Sequence, residues 1–203
     1  MKIGVLGGTF DPIHIGHLKV AEEVTASLKL SEVIFMPAGQ PWLKINNAIS
    51  PAEHRLQMMR LALAGRANFR LSTMEIERPG PTYTVDTMAE LERQLGEGDE
   101  LFFILGWDNL TQLPQWHEPS RLIKLCRLVA VPRVDFSPPD LASLEAAIPG
   151  LEQRVILLEK PRIDVNASEI RRMVRDGLSI QNLVPEPVER YIKEHKLYAG
   201  RRG

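Results

Sequence analysis

Two histidines three residues apart, His14 and His17, sit in the stretch Gly7-Gly8-Thr9-Phe10-Asp11-Pro12-Ile13-His14-Ile15-Gly16-His17. At a helix start this spacing turns both rings to one side. Gly7 and Gly8 follow the short apolar run Ile3–Leu6, which reads as a buried strand ended by a sharp turn. Glycines at that point let backbone N–H groups approach a phosphate closely. Gly16 removes a side chain that would crowd a ligand, and a helix N-terminus adds the positive end of its dipole. The sum is an anion site with two imidazole donors. The glycines fit neither G-x-G-x-x-G nor the G-K-(S/T) of a Walker A loop. No third ligand stands at metal-site spacing from the histidines, so no protein-held metal is expected. Asp11-Pro12 reads as a turn device.

A second polar group is Asp164-Val165-Asn166-Ala167-Ser168-Glu169-Ile170-Arg171. Asn166 can cap a helix, and Glu169 three residues later completes a capping box. Ser168 then falls at the second helical position, where its hydroxyl is spare, and Arg171 adds a charge-assisted donor one turn on. Three weaker groups complete the inventory. Pro37 to Lys44 is a loop by composition with one cation, Lys44. Thr82-Tyr83-Thr84-Val85-Asp86-Thr87 lies at a strand-to-helix turn, where unpaired N–H groups can take a carboxylate, or where a tyrosine merely packs beside a cap. Gly106-Trp107-Asp108 follows a strand, and Trp116 offers either a flat surface for a flat ligand or a core side chain.

These groups need a scaffold, and the order of segments supplies one. Ile3–Leu6, Val33–Met36, Phe69–Ile76, Leu101–Leu105, Arg127–Val131 and Arg154–Leu158 read as strands. Between them Leu18, Ala21, Val24 and Leu28 mark one helix face, and Ser50-Pro51-Ala52-Glu53 opens another as a capping box, with Leu56, Met59 and Leu63 as its buried side. Val85–Leu95, Ser168–Asp176 and Pro187–His195 read as further helices. Pro132 to Pro149 reads as a surface excursion. Wholly apolar strands alternating with helices imply a Rossmann-like doubly wound parallel α/β sheet, covered on both faces. Ligands bind such sheets beyond the carboxyl ends of the strands, where all the main motifs fall.

Composition narrows the class. The chain has 203 residues, 44% hydrophobic and 25% charged, enough for one folded domain and unlike a disordered chain. A net charge of -1 argues against a broad nucleic-acid surface. The single cysteine, Cys126, excludes internal disulfides and multi-cysteine zinc, and reads as inert packing. No apolar run suits a membrane span or a signal-peptide core, so a cytoplasmic protein is expected.

The first motif resembles the signature of the nucleotidylyltransferase superfamily, (T/H)-x-G-H, and its longer form G-G-(S/T)-F-D-P-(I/V)-H is similar to that of bacterial nicotinate mononucleotide adenylyltransferases. The resemblance runs from Gly7 to Arg171. It implies a single nucleotidylyltransferase domain over 1–203, with C-terminal helices from about 168 completing the site. It implies adenylyl transfer from ATP to nicotinate mononucleotide, with Mg²⁺ arriving on ATP. ATP-binding residues would be Gly7, Gly8, Thr9, Phe10, His14, His17, Gly106, Asp108, Ser168 and Arg171. Catalytic donors would be His14, His17, Lys44 and Arg171. Lys44, Tyr83, Thr84 and Trp116 would bind the acceptor, with Trp116 on the pyridine ring. Val165-Asn166-Ala167-Ser168-Glu169-Ile170-Arg171 departs from I-S-S-T-x-(I/V)-R at three polar positions, and Trp42-Leu43 replace a usual proline and histidine. The residues leave open nicotinamide mononucleotide or phosphopantetheine as acceptor, a non-catalytic nucleotide-binding module, and assembly into a homo-oligomer. They point to no nucleic-acid or membrane partner.

Overall fold

The computed structural model describes residues 1–39 and 49–200. Six strands, β1 (Lys2–Gly8), β2 (Glu32–Pro37), β3 (Phe69–Leu71), β4 (Glu100–Gly106), β5 (Arg127–Val131) and β6 (Val155–Leu157), form one parallel sheet in the order β3-β2-β1-β4-β5-β6. The chain winds from β1 out to β3, then returns to β4 on the other side of β1. That reversal opens a crevice beyond the carboxyl ends of β1 and β4. Register brings the motifs level there, because Leu6 pairs with Phe35 on one side and Ile104 on the other. The Rossmann-like α/β expectation is met.

The helices are α1 (Ile15–Leu28), α2 (Ala52–Leu63), α3 (Met74–Glu77), α4 (Thr84–Glu92), α5 (Trp107–Thr111), α6 (Pro119–Leu125), α7 (Leu141–Ala147), α8 (Ala167–Arg175) and α9 (Glu186–Glu194). Strand alternation divides the core in two. On β4, Phe102 and Ile104 join side chains of α1, α2, α8 and α9, while Leu101, Phe103 and Leu105 join those of α4 to α7. Burial on both faces is why these strands carry almost no polar residue. Among the described residues no helix is long and apolar enough to cross a membrane.

Four local expectations are corrected. The run Phe69–Ile76 is a strand only to Leu71, and its remainder forms the short helix α3, because an apolar residue every two or three positions suits either element. Ser50 does not cap α2: Pro51 holds the N-cap position, and the Ser50 backbone N–H donates to Asp11 Oδ2 instead. The buried face of α2 is Arg55, Met58, Met59, Ala62 and Leu63, turned by one position so that Leu56 is only half-buried. The proline-rich excursion contains α7, whose Leu144 reaches the core, with Asp140 capping through Ala142 and Ser143 N–H groups.

Candidate active site

Strand β1 continues through Gly8, which pairs with Pro37, so the glycines do not make the turn. The turn comes at Phe10, whose φ of 50° is left-handed and strained for a bulky residue. Its ring is 2% exposed and packs edge-on to His17 at 4.8 Å and against Phe35 at 5.9 Å. Packing therefore holds a conformation that glycine would adopt freely.

His14 is the N-cap residue of α1, and His17 sits at its third position. Their rings stack at 3.6 Å with planes 25° apart. The His14 backbone N–H donates to His17 Nδ1 at 3.2 Å, which assigns the neutral ring's proton to Nε2. His14 is 5% exposed, and burial, with the nearby Arg133 charge, pulls its pKa down to about 3. It is a neutral ring at pH 7. Its Nδ1 is buried and makes no full hydrogen bond among the described residues, with only the His17 backbone N–H directed at the ring. Gly16 lines the cavity and also makes room for the protein around it: a Cβ there would stand 2.7 Å from Ile163 and 3.0 Å from His14 Nδ1.

Helix α8 supplies the opposite donors. Asn166 caps it, accepting from the Glu169 N–H at 2.8 Å. The Glu169 carboxylate pairs with Arg172. Ser168 is thus left at the second position. Arg171 Nη2 donates to Ser168 Oγ at 3.3 Å, and Nη1 donates to the Asp11 carbonyl at 2.7 Å. These two bonds orient the guanidinium and occupy two of its five donors.

Gly7, Gly8, Thr9, Phe10, His14, His17, Gly106, Ser168 and Arg171 line one cavity of about 580 Å³, and so do Tyr83, Thr84 and Trp116. That volume is within the range of small-molecule sites. Asp108 is not among the lining residues. Its Oδ2 accepts from Arg133 Nη1 at 2.8 Å and its Oδ1 is buried without a partner. A Cβ on Gly106 would lie 2.3 Å from that oxygen, so any larger residue would displace the Asp108 carboxylate from this position. Lys44 lies outside the described residues.

The far end of the cavity is aromatic. Trp116 meets Phe103 edge-on at 6.0 Å, and Tyr83 lies over His117 at 4.3 Å. Tyr83 is the N-cap of α4, so the first-turn amides begin at Thr84. Glu75 also lines this end, accepting from Thr87 Oγ1 at 2.7 Å. Burial raises the Glu75 pKa, opposed by the Thr87 hydrogen bond and the Arg78 charge. Gly39 packs against the backbone here: a Cβ would stand 2.1 Å from the Glu75 carbonyl oxygen.

Sequence reasoning missed Glu75 and His117 at the aromatic end and gave Arg133 no role, since none stands in a distinctive pattern. It also missed Arg55, which is 3% exposed beneath the first turn. An arginine at the i position of an i, i+3, i+4 apolar stripe was the available signal. Cys126 is buried, and its thiol is pushed up to about 12, which keeps it unreactive.

Among the described residues no three His, Cys, Asp or Glu side chains group to hold a metal. The cavity wall brings N–H donors of His14, His17 and Arg171 to one end, a set that fits a cation retaining its triphosphate and water ligands.

Residues 5–173 match the cytidylyltransferase-like family model. A probable nicotinate-nucleotide adenylyltransferase of Dehalococcoides mccartyi is 53% identical over 98% of this chain and 97% of its own length. One of Thermomicrobium roseum is 47% identical over 97% and 91%. In fold, the chain is similar to Plasmodium falciparum nicotinic acid mononucleotide adenylyltransferase complexed with NaAD, at a TM-score of 0.78 and 20% identity over 97% of both chains. A family match over most of the chain and relatives about half identical over nearly its whole length show that the chain belongs to the cytidylyltransferase-like family, among the nicotinate-nucleotide adenylyltransferases.

Proposed function

We infer that this chain transfers the adenylyl group of ATP to nicotinate mononucleotide, giving deamido-NAD and pyrophosphate. The observation that carries the reading is one cavity with phosphate-type donors at one end and an aromatic wall beside a helix N-terminus at the other. The acceptor's 5′-phosphate oxygen forms a bond to the α-phosphorus of ATP. The bond from that phosphorus to the bridging oxygen breaks, and pyrophosphate leaves with the electron pair. No protein nucleophile is needed.

The chain's contribution is position and charge. His14, as a neutral ring, and His17, through Nε2–H, donate to the triphosphate. Ser168 and Arg171 face them and take up charge on the leaving pyrophosphate, with Lys44 as a further cation. Mg²⁺ carried on ATP supplies charge neutralisation there. Trp116 gives the pyridine ring a face, and the Tyr83–Thr84 helix start favours a carboxylate over an amide. A cytoplasmic location suits a chain with one buried thiol and these substrates.

Purified protein with ATP, Mg²⁺ and nicotinate mononucleotide should release pyrophosphate and deamido-NAD in equal amounts. Pyrophosphate release only with phosphopantetheine, or ATP binding without release from any acceptor, would overturn the reading.

A further inference from the structure

We propose that Arg55 and Tyr198, neither of which lines the cavity, are positioning residues for this reaction: they clamp the Thr9–Asp11 turn in the shape that aims Arg171. The inference rests on the adenylyl-transfer reading. Three segments meet at Arg55. Its Nη1 donates to the Thr9 carbonyl at 2.9 Å and to the Ala38 carbonyl at 3.0 Å, and its Nε donates to the Ser50 carbonyl at 3.2 Å. These carbonyls follow β1, follow β2 and precede α2. A planar guanidinium can serve all three at once, whereas a lysine ammonium cannot match that spread.

Asp11 closes the clamp from the other side. It is 3% exposed, and its Oδ2 accepts from the Ser50 N–H at 3.0 Å while its Oδ1 accepts from Tyr198 Oη at 2.6 Å. Its carbonyl oxygen is the one that receives Arg171 Nη1. Between the two clamped residues stands Phe10, left-handed at φ 50°. Such a turn persists only where its surroundings over-determine it. Tyr198, beyond α9, thereby couples the last described segment of the chain to the first motif. Loosening the clamp lets Arg171 and the histidines drift from transition-state positions while ATP still binds. The loss then falls on kcat rather than on KM.

The test is steady-state and single-turnover kinetics of Tyr198→Phe and Arg55→Lys, with Tyr191→Phe as control. Tyr191 likewise donates or accepts through its hydroxyl, to His54 Nδ1 at 2.9 Å, on the outer side of the helices. Tyr198→Phe is expected to lower kcat about tenfold with KM for ATP within about twofold, the size of one hydrogen bond to a charged group. Arg55→Lys should lower kcat at least as far despite keeping its charge, and Tyr191→Phe should leave it unchanged. Amide hydrogen exchange at residues 9–11 should quicken in the first two variants only. Kinetics within twofold of wild type per folded molecule in Tyr198→Phe, full activity in Arg55→Lys, or an equal fall in Tyr191→Phe would each overturn the proposal. If Arg55→Lys does not fold, Tyr198→Phe carries the test. A wild-type protein that forms no deamido-NAD would defeat the functional reading instead, and the exchange measurement would then decide the clamp alone: quickened amides support it, unchanged amides overturn it.

Discussion

The two ends of the cavity are built differently. The phosphate end draws on two contiguous stretches, Gly7–His17 and Asn166–Arg171, and hydrogen bonds within and between them orient His17 and Arg171. The aromatic end is assembled from Gly39, Glu75, Tyr83–Thr84 and Trp116–His117, pieces of separate elements. The difference follows from what each end must do. Developing charge is stabilised only by donors already in place, so that end demands rigid local geometry. A flat ring needs surface and one helix start, which many elements can supply together.

Removing a donor from the phosphate end should have the largest effect. His17→Ala is expected to slow single-turnover adenylyl transfer roughly 100- to 1000-fold, with little change in ATP binding. Near wild-type rates would show that the paired rings are not what makes that end catalytic. Next comes the choice of acceptor at the other end. Nicotinate mononucleotide should exceed nicotinamide mononucleotide in kcat/KM by roughly tenfold to a hundredfold, the value of one charge-assisted hydrogen bond at the α4 start. Equal values would leave the helix start without a role in selection.

Trp116→Ala sharpens the contrast from the same side. It should raise KM for the mononucleotide roughly tenfold and leave kcat nearly alone, because a stacking face holds ground and transition states equally. A fall in kcat with unchanged KM would contradict the division between the ends. The smallest effect concerns pH. His14 is held neutral, its folded pKa near 3 against an ordinary 6.5. The stability gained by keeping it neutral is complete above 6.5 and is lost as pH falls from 6.5 toward 3. Between pH 7.5 and 5.5 the protein should lose about 1 kcal/mol that the His14→Gln variant keeps. Urea unfolding of both proteins at the two pH values measures this, and parallel losses would refute it.

Legibility followed the same division. The apolar strands could be read because burial on both faces leaves no polar position, and their order in the chain implied the doubly wound sheet. The first motif could be read because its chemistry is local: the histidine spacing, the helix start and the preceding strand lie within one short stretch. Only part of the role of Gly16 could be read, since only the packed structure shows Ile163 and the His14 ring beside it. The Phe69–Ile76 run failed because periodicity cannot separate short strands from single helical turns. Glu75 was invisible because its meaning depends on Thr87 and Arg78, and those contacts form only when α3 packs beside α4.

By itself, then, the order of residues determined the alternation of strands and helices, the paired imidazoles and the capped helix that carries Ser168 and Arg171, because each depends on neighbours within a few positions. Tertiary structure alone decided that these groups share one cavity, that burial keeps His14 neutral, and that Arg55, Asp11 and Tyr198 meet under a strained turn. Those outcomes depend on segments up to 187 residues apart, and only the closing of the sheet and its two cores brings such segments together.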